Sequence, residues 1–128
     1  MRRLALFLLL TPAAALAQLD YRVTPELSAR SIRVRLTVVA KSNETEFRIP
    51  AWCPGYYVMQ EYQKKISDLK IVDEQGHAFT PTSTDPRSWK VSAPAGTRLS
   101  ISYRVLGDDP GLGFFAVSVK SHTAFING

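Results

Sequence analysis

Ser31-Ile32-Arg33-Val34-Arg35-Leu36-Thr37-Val38-Val39 is the stretch that decides the fold class. Ile32, Val34, Leu36 and Val38 alternate with Arg33, Arg35 and Thr37, and a repeat of two residues sends one set of side chains to each face of a strand. The apolar set needs a core and the cationic set needs water, so the segment belongs to a sheet with one buried and one wet face. Lys41-Ser42-Asn43-Glu44 supplies turn residues, and Thr45 to Ile49 alternates again with Phe47 and Ile49 on the apolar side. With Ser42-Asn43 as the loop, a hairpin is expected in which Val38 pairs with Phe47 and Leu36 with Ile49 towards the core, and Thr37 with Arg48 outside.

The same habit runs along the rest of the chain. Leu99, Ile101, Tyr103 and Val105 alternate with Ser100, Ser102 and Arg104, and Phe115, Val117 and Val119 with Ala116, Ser118 and Lys120. Shorter candidate strands are Leu19 to Thr24, Leu69 to Asp73, Ser88 to Val91 and Thr123 to Ile126. They are separated by the turn chemistry of Gln75-Gly76, Asp85-Pro86, Ala93-Pro94-Ala95-Gly96 and Gly107-Asp108-Asp109-Pro110-Gly111. The best helical spacing, Gln60 to Leu69, spans no more than a short helix or a loop. An all-β, antiparallel sandwich of about seven to nine strands is expected, with at most one short helix.

The first residues stand apart. Arg2-Arg3, the apolar run Leu4 to Leu10, and Ala15-Leu16-Ala17 give the charged, apolar and small-residue regions of a secretory signal peptide. Residues 1–17 are therefore read as a leader cleaved after Ala17, and residues 18–128 as one domain exported to the periplasm or the medium. The apolar run is about a third of the roughly 20 residues that span a bilayer, so no membrane anchor is expected after cleavage. Without Arg2 and Arg3 the balance of 16 basic and 11 acidic residues becomes 14 against 11, a net charge of +3. Lys64-Lys65 is the only adjacent basic pair left, so the charge does not form the stripe that nucleic-acid binding needs.

Catalytic and metal-binding constellations are sparse. Cys53 is the single cysteine and cannot close an internal disulfide. His77 and His122 are far apart in sequence, each without a second ligand nearby, and read as solvated turn residues rather than a zinc site. Neither HExxH nor a GxSxG nucleophile elbow occurs, Gly111-Leu112-Gly113 lacks the context of a phosphate loop, and Asp108-Asp109 is too isolated for a calcium loop. A thiol pair of Cys53 with His122 is left to geometry.

One segment departs from ordinary sandwich sequence: Ile49-Pro50-Ala51-Trp52-Cys53-Pro54-Gly55-Tyr56-Tyr57-Val58-Met59-Gln60-Glu61-Tyr62. Two prolines fix φ, Gly55 after Pro54 admits a positive φ, and four aromatic residues crowd together. Trp52, Pro54, Gly55, Tyr56 and Tyr57 are the candidate binding residues. Either Trp52 and Tyr57 plug the end of the sandwich, or Trp52, Tyr56 and Tyr57 present an aromatic contact surface to a peptide or glycan, and no acid, base or nucleophile accompanies them except Cys53.

The phrase Ile49-Pro50-Ala51-Trp52-x-Pro54-Gly55-x-Tyr57-Val58, followed by Ile66-Ser67-Asp68-Leu69 and Asp73-Glu74-Gln75-Gly76, resembles the N-terminal domain of the glycyl aminopeptidase family of zinc metallopeptidases (metallopeptidase family sixty-one). Trp89-Lys90-Val91, Ser102-Tyr103-Arg104-Val105 and Phe125-Ile126-Asn127-Gly128 continue the order, so the resemblance covers Tyr21 to Gly128. It implies a β-rich, non-catalytic domain that precedes a thermolysin-like catalytic domain, with zinc and its HExxH helix only in that downstream domain and no cofactor in this chain. The chain is accordingly expected to be a fragment or truncated product of a longer exported aminopeptidase, its partner the catalytic domain or a peptide. The alternative is an autonomous exported binding module using the aromatic loop. Cys53 stands where the family usually has a small hydroxyl residue and Gln60 where it has Arg, and Asp108 to Phe115 is shorter and richer in Gly and Pro than the family pattern.

Overall fold

The computed structural model describes residues 19–52, 59–109 and 117–126. Ten antiparallel strands occupy them: β1 (Asp20–Glu26), β2 (Ser31–Val39), β3 (Glu44–Arg48), β4 (Ile66–Asp73), β5 (Ala78–Phe79), β6 (Thr82–Asp85), β7 (Ser88–Ser92), β8 (Arg98–Leu106), β9 (Val117–Val119) and β10 (Ala124–Ile126). The helical content of these residues is a single 3-10 turn, Tyr62–Lys65. A five-stranded sheet runs β1-β2-β8-β4-β5, a three-stranded sheet runs β3-β7-β6, and β9 and β10 form a separate ribbon.

The alternation that defines β2 and β8 explains what covers the large sheet. Val34 pairs with Tyr103, Leu36 with Ile101 and Val38 with Leu99, so the alternating apolar side chains of the two central strands emerge on one face, with only the strand-end residues Val39 and Leu106 on the other. The three-stranded sheet covers one end of that face. There Val91 of β7 joins Ala40, Ile71, Ala93, Leu99 and Ile101 in the main core, with Phe47 of β3 packed against it. The ribbon covers the other end, where Val119 meets Ile32 and Val34. Tyr103 packs against both clusters.

The expected hairpin of β2 with β3 does not form. Val38 pairs with Leu99 and Leu36 with Ile101, whereas Phe47 pairs with Trp89 in the other sheet. Instead the β2–β8 pair turns a corner together and continues as the β3–β7 pair. At the corner the Ala40 N–H donates to the Thr97 carbonyl at 2.8 Å and the Gly96 N–H to the Ala40 carbonyl at 2.8 Å. Asn43 was expected in a hairpin loop, but its backbone carbonyl accepts the Ala93 N–H and its side-chain oxygen the Ala95 N–H, each at 3.1 Å. Ala40 and Ala93 are buried, small enough to let two sheets meet, and Gly96 takes a φ of 88° that closes the turn. Phe47 still reaches the core: the faces follow from the alternation, but the pairing partner does not.

A second departure lies in β4. Ser67 pairs with Arg104 and Lys70 with Ser102, which leaves one extra residue on β4, a bulge in which Asp68 adopts a φ of 54°. The bulge sets Ile66 and Leu69 three apart, and this is the spacing that reads as a short helix. Only Tyr62–Lys65 is helical, and the strand starts at Ile66. β5 and β6 escape sequence reading because one is two residues long and the other, Thr82-Ser83-Thr84-Asp85, is an exposed edge strand without an apolar residue.

On the outer face of the large sheet the carboxylate of Glu26 bridges Arg33, at 2.8 Å, and Arg104, at 2.7 Å, while Asp68 holds the far side of Arg104. The Arg104 and then the Arg33 hydrogen bonds hold the Glu26 carboxyl below the usual carboxylate range. A lowered folded-state pKa stabilises above the unfolded-state value and is lost as pH falls through the folded one. Glu26→Gln is therefore expected to lower the urea midpoint at pH 7, with the gap to the parent closing below about pH 4. A gap that does not change with pH would exclude the charge as its cause.

Candidate functional site

The aromatic segment leaves the sandwich from a fixed base. After β3 the Ile49 N–H donates to the Arg87 carbonyl at 2.9 Å, and the Gln60 N–H donates to the carbonyl of buried Ala51 at 2.7 Å, tying the two ends of the segment together. Trp52 is 46% exposed and Met59 is exposed, so neither is a plug of the core. Pro54, Gly55, Tyr56 and Tyr57, together with Cys53, lie outside the described residues. Of the five candidate binding residues, Trp52 alone can be placed.

Beside this base runs an apolar groove of about 290 Å³ between the two sheets, and Ile49 and Ile66 form part of its wall. Its origin is a mismatch of sizes. The three-stranded sheet covers β2, β8 and β4 but stops short of β1, whose core-facing residues, set by Tyr21 opposite Leu36 and Val23 opposite Val34, remain open. Leu19 is 56%, Tyr21 58% and Val23 48% exposed. Tyr21, Phe47, Trp89 and Tyr103 give the groove aromatic walls, with Glu46 and Arg48 as its charged lining. Burial, and then the neighbouring Tyr21, push the Tyr103 phenol above its ordinary pKa, so it stays neutral at physiological pH. Pockets for drug-sized ligands run from about 300 Å³ upward. A groove of this volume suits one or two inserted side chains.

The other reactive side chains are engaged in holding turns. His77 Nδ1 lies 2.9 Å from Asp73 Oδ2, and Asp73 Oδ1 accepts the N–H groups of Gln75 and His77 at 3.0 and 2.8 Å. Burial would raise the Asp73 pKa, but the hydrogen bonds from His77 and Gln75 outweigh it and hold the carboxyl low. His122 is exposed in the turn between β9 and β10. Asp108 and Asp109 are claimed by Lys65: its ammonium lies 3.2 Å from Asp108 Oδ1 and is also bonded to Asp109, whose second oxygen accepts the Val117 N–H at 2.7 Å. This clamp ties the 3-10 turn to β9. No group of three or more His, Cys, Asp or Glu among the described residues could hold a metal ion.

The groove has no counterpart among the expectations from sequence. Leu19, Tyr21 and Val23 do alternate, so the signal was present, yet alternation does not tell which apolar row lies beyond the edge of its cover.

Three comparisons bear on this arrangement. The family described as the peptidase M61 N-terminal domain matches residues 20–128. A solved structure of an aminopeptidase N family protein from Idiomarina loihiensis is similar, with a TM-score of 0.69 and 19% identity, over 87% of this chain and 20% of that one. The chain thus spans about a fifth of the length of that protein, and the likeness is one of fold. No curated protein matches.

Proposed function

The chain belongs to the peptidase M61 N-terminal domain family, and from that membership we propose that it is the non-catalytic sandwich domain of an exported zinc aminopeptidase, bordering a downstream catalytic domain. The observation that carries the reading is the family match across residues 20–128. The open apolar row of β1 and the groove behind it support it. An exposed row of large apolar side chains beside an aromatic-walled groove is what a domain offers to a further body of protein. Trp52, exposed three residues after Ile49 of the groove wall, fits the same role at the border between the sandwich and the peptidase domain.

Zinc, in this reading, would be held by an HExxH helix of the catalytic domain, where it would supply the Lewis acidity for peptide hydrolysis. This domain's own residues contribute shape and apolar contact. Export rests on the leader pattern of residues 1–17. Nucleic acid and membrane are not among the proposed partners.

Two measurements test the proposal. The purified chain, incubated with glycyl p-nitroanilide and added zinc, is expected to show no turnover above the buffer blank, and metal-dependent hydrolysis would overturn its non-catalytic role. Reading the coding sequence past the Gly128 codon supplies the second: an open frame encoding HExxH supports the domain reading. A stop codon there would favour the autonomous module that binds a peptide or glycan through Trp52 and its neighbours.

A further inference from the structure

The outer face of the five-stranded sheet carries two arginine pairs in neighbouring rows, and the fold treats them differently. Arg33 of β2 stands opposite Arg104 of β8, and like charges directly opposite on adjacent strands are destabilising. Here the repulsion is offset. Glu26 accepts from both guanidinium groups, and Asp68 holds Arg104 from the other side.

One row along, Arg22 of β1 stands opposite Arg35 of β2, Arg35 opposite Ser102 of β8, and Ser102 opposite Lys70 of β4. Residues opposite each other in an antiparallel pair share a face, so the three cations and the serine form one line. At a strand spacing of about 4.8 Å the line is roughly 14 Å long. Arg22, Arg35 and Lys70 are all exposed, and none forms an ion pair with another described residue. Asp20, two residues before Arg22 on the same face, forms none either.

We propose that the row Arg22–Arg35–Lys70 docks an acidic protein surface, which places between Arg22 and Arg35 the carboxylate that Glu26 places between Arg33 and Arg104. The neighbouring row is the template: there two arginines opposed across β2 and β8 are bridged by a side-chain carboxylate, and here two arginines are opposed in the same way across β1 and β2. Guanidinium groups favour carboxylates because their planar forks match two oxygens at once. The row also lacks an apolar side chain that would enter a bilayer. The inference does not depend on the peptidase reading, since it follows from charge and register alone.

The test titrates the purified chain with a fluorescein-labelled peptide of ten glutamates at low ionic strength. Saturable binding is expected, weakening as salt is raised and about tenfold weaker in the double variant Arg22→Gln/Arg35→Gln. Lys90→Gln, on β7 of the other sheet, should bind as the parent does. Without the peptide, the double variant should melt at the same temperature as the parent or higher, because the opposed charges are gone. Equal binding by parent and double variant would overturn the proposal. So would a lower melting temperature of the double variant, which would mean that the arginines already have a counter-charge within the fold. Tighter charge-dependent binding to vesicles containing phosphatidylglycerol than to the peptide would assign the row to a lipid surface and reject the protein partner.

Discussion

Leu99→Ala is expected to destabilise the sandwich by about 3 kcal/mol, within the range of about 2–5 kcal/mol for a fully buried leucine. For a domain of this size that is a fall of roughly 12 to 24 °C in Tm. Leu99 has no exposed surface and sits on β8, the strand bonded to both β2 and β4, in the middle of the main core. Two contributions add. The lost side chain forfeits its transfer free energy, and the space it leaves stays open to the extent that its walls cannot move in. Those walls come from both sheets, Ile71 and Ile101 on one side and Val91 on the other. The corner bonds among Ala40, Gly96 and Thr97 lie close to Leu99 in the chain and fix the backbone there, which limits how far the walls can move in. Val23→Ala, by contrast, removes a half-exposed side chain from the open row and should change stability by no more than about 0.5 kcal/mol. Urea midpoints with unchanged slopes measure both. A loss below about 1 kcal/mol at Leu99 would mean that the sheets do not close over it.

The contrast between Leu99 and Val23 also marks how far the sequence could be read. Both sit in strands that alternate cleanly, and the alternation placed both on the apolar face. What it lacked was the extent of the cover. The fate of Val23 depends on where the covering layers stop, and that is set by pairings made at long range. The hairpin expectation fell for the same reason. Val38 and Phe47 are both inward-facing, but partner choice was decided by Ala40 and Asn43 bonding to the Ala93–Thr97 turn fifty or more residues later. No local pattern encodes such a bond. The bulge at Asp68 is a third instance, since one extra residue converts a period of two into an apparent period of three. The aromatic segment stands out in the sequence by its composition, and of its candidate residues only Trp52 lies among the described ones. Its setting was not legible, because the groove is assembled from β1, β2, β3, β4, β7 and β8.

Gly107→Ala carries the other large expected effect, about 1–3 kcal/mol from overpacking, and it should act on one part of the molecule first. In sequence Gly107 reads as a turn glycine, where conformational freedom is the usual reason for the residue. Its role here is close approach. A Cβ built on it would lie 2.5 Å from Val119 Cγ2, 2.9 Å from Val119 Cβ and 3.1 Å from the Arg30 carbonyl oxygen. Val119 is fully buried and cannot swing aside. The backbone of Gly107 cannot withdraw either, because its N–H donates to the Arg30 carbonyl at 2.8 Å and its carbonyl accepts the Val119 N–H at 3.0 Å. The least costly response is for β9 to move off the large sheet, taking Val119 out of its cluster with Ile32 and Val34. The Lys65–Asp109 clamp and the Asp109–Val117 bonds would then be strained in turn. Hydrogen exchange should therefore rise at Val119 and along the β9–β10 ribbon well before it rises at Leu99 or Ile101. Uniform acceleration across both core clusters would show that the ribbon is not a separable layer, and an unchanged Val119 amide would show that the close approach of Gly107 to Val119 is not made.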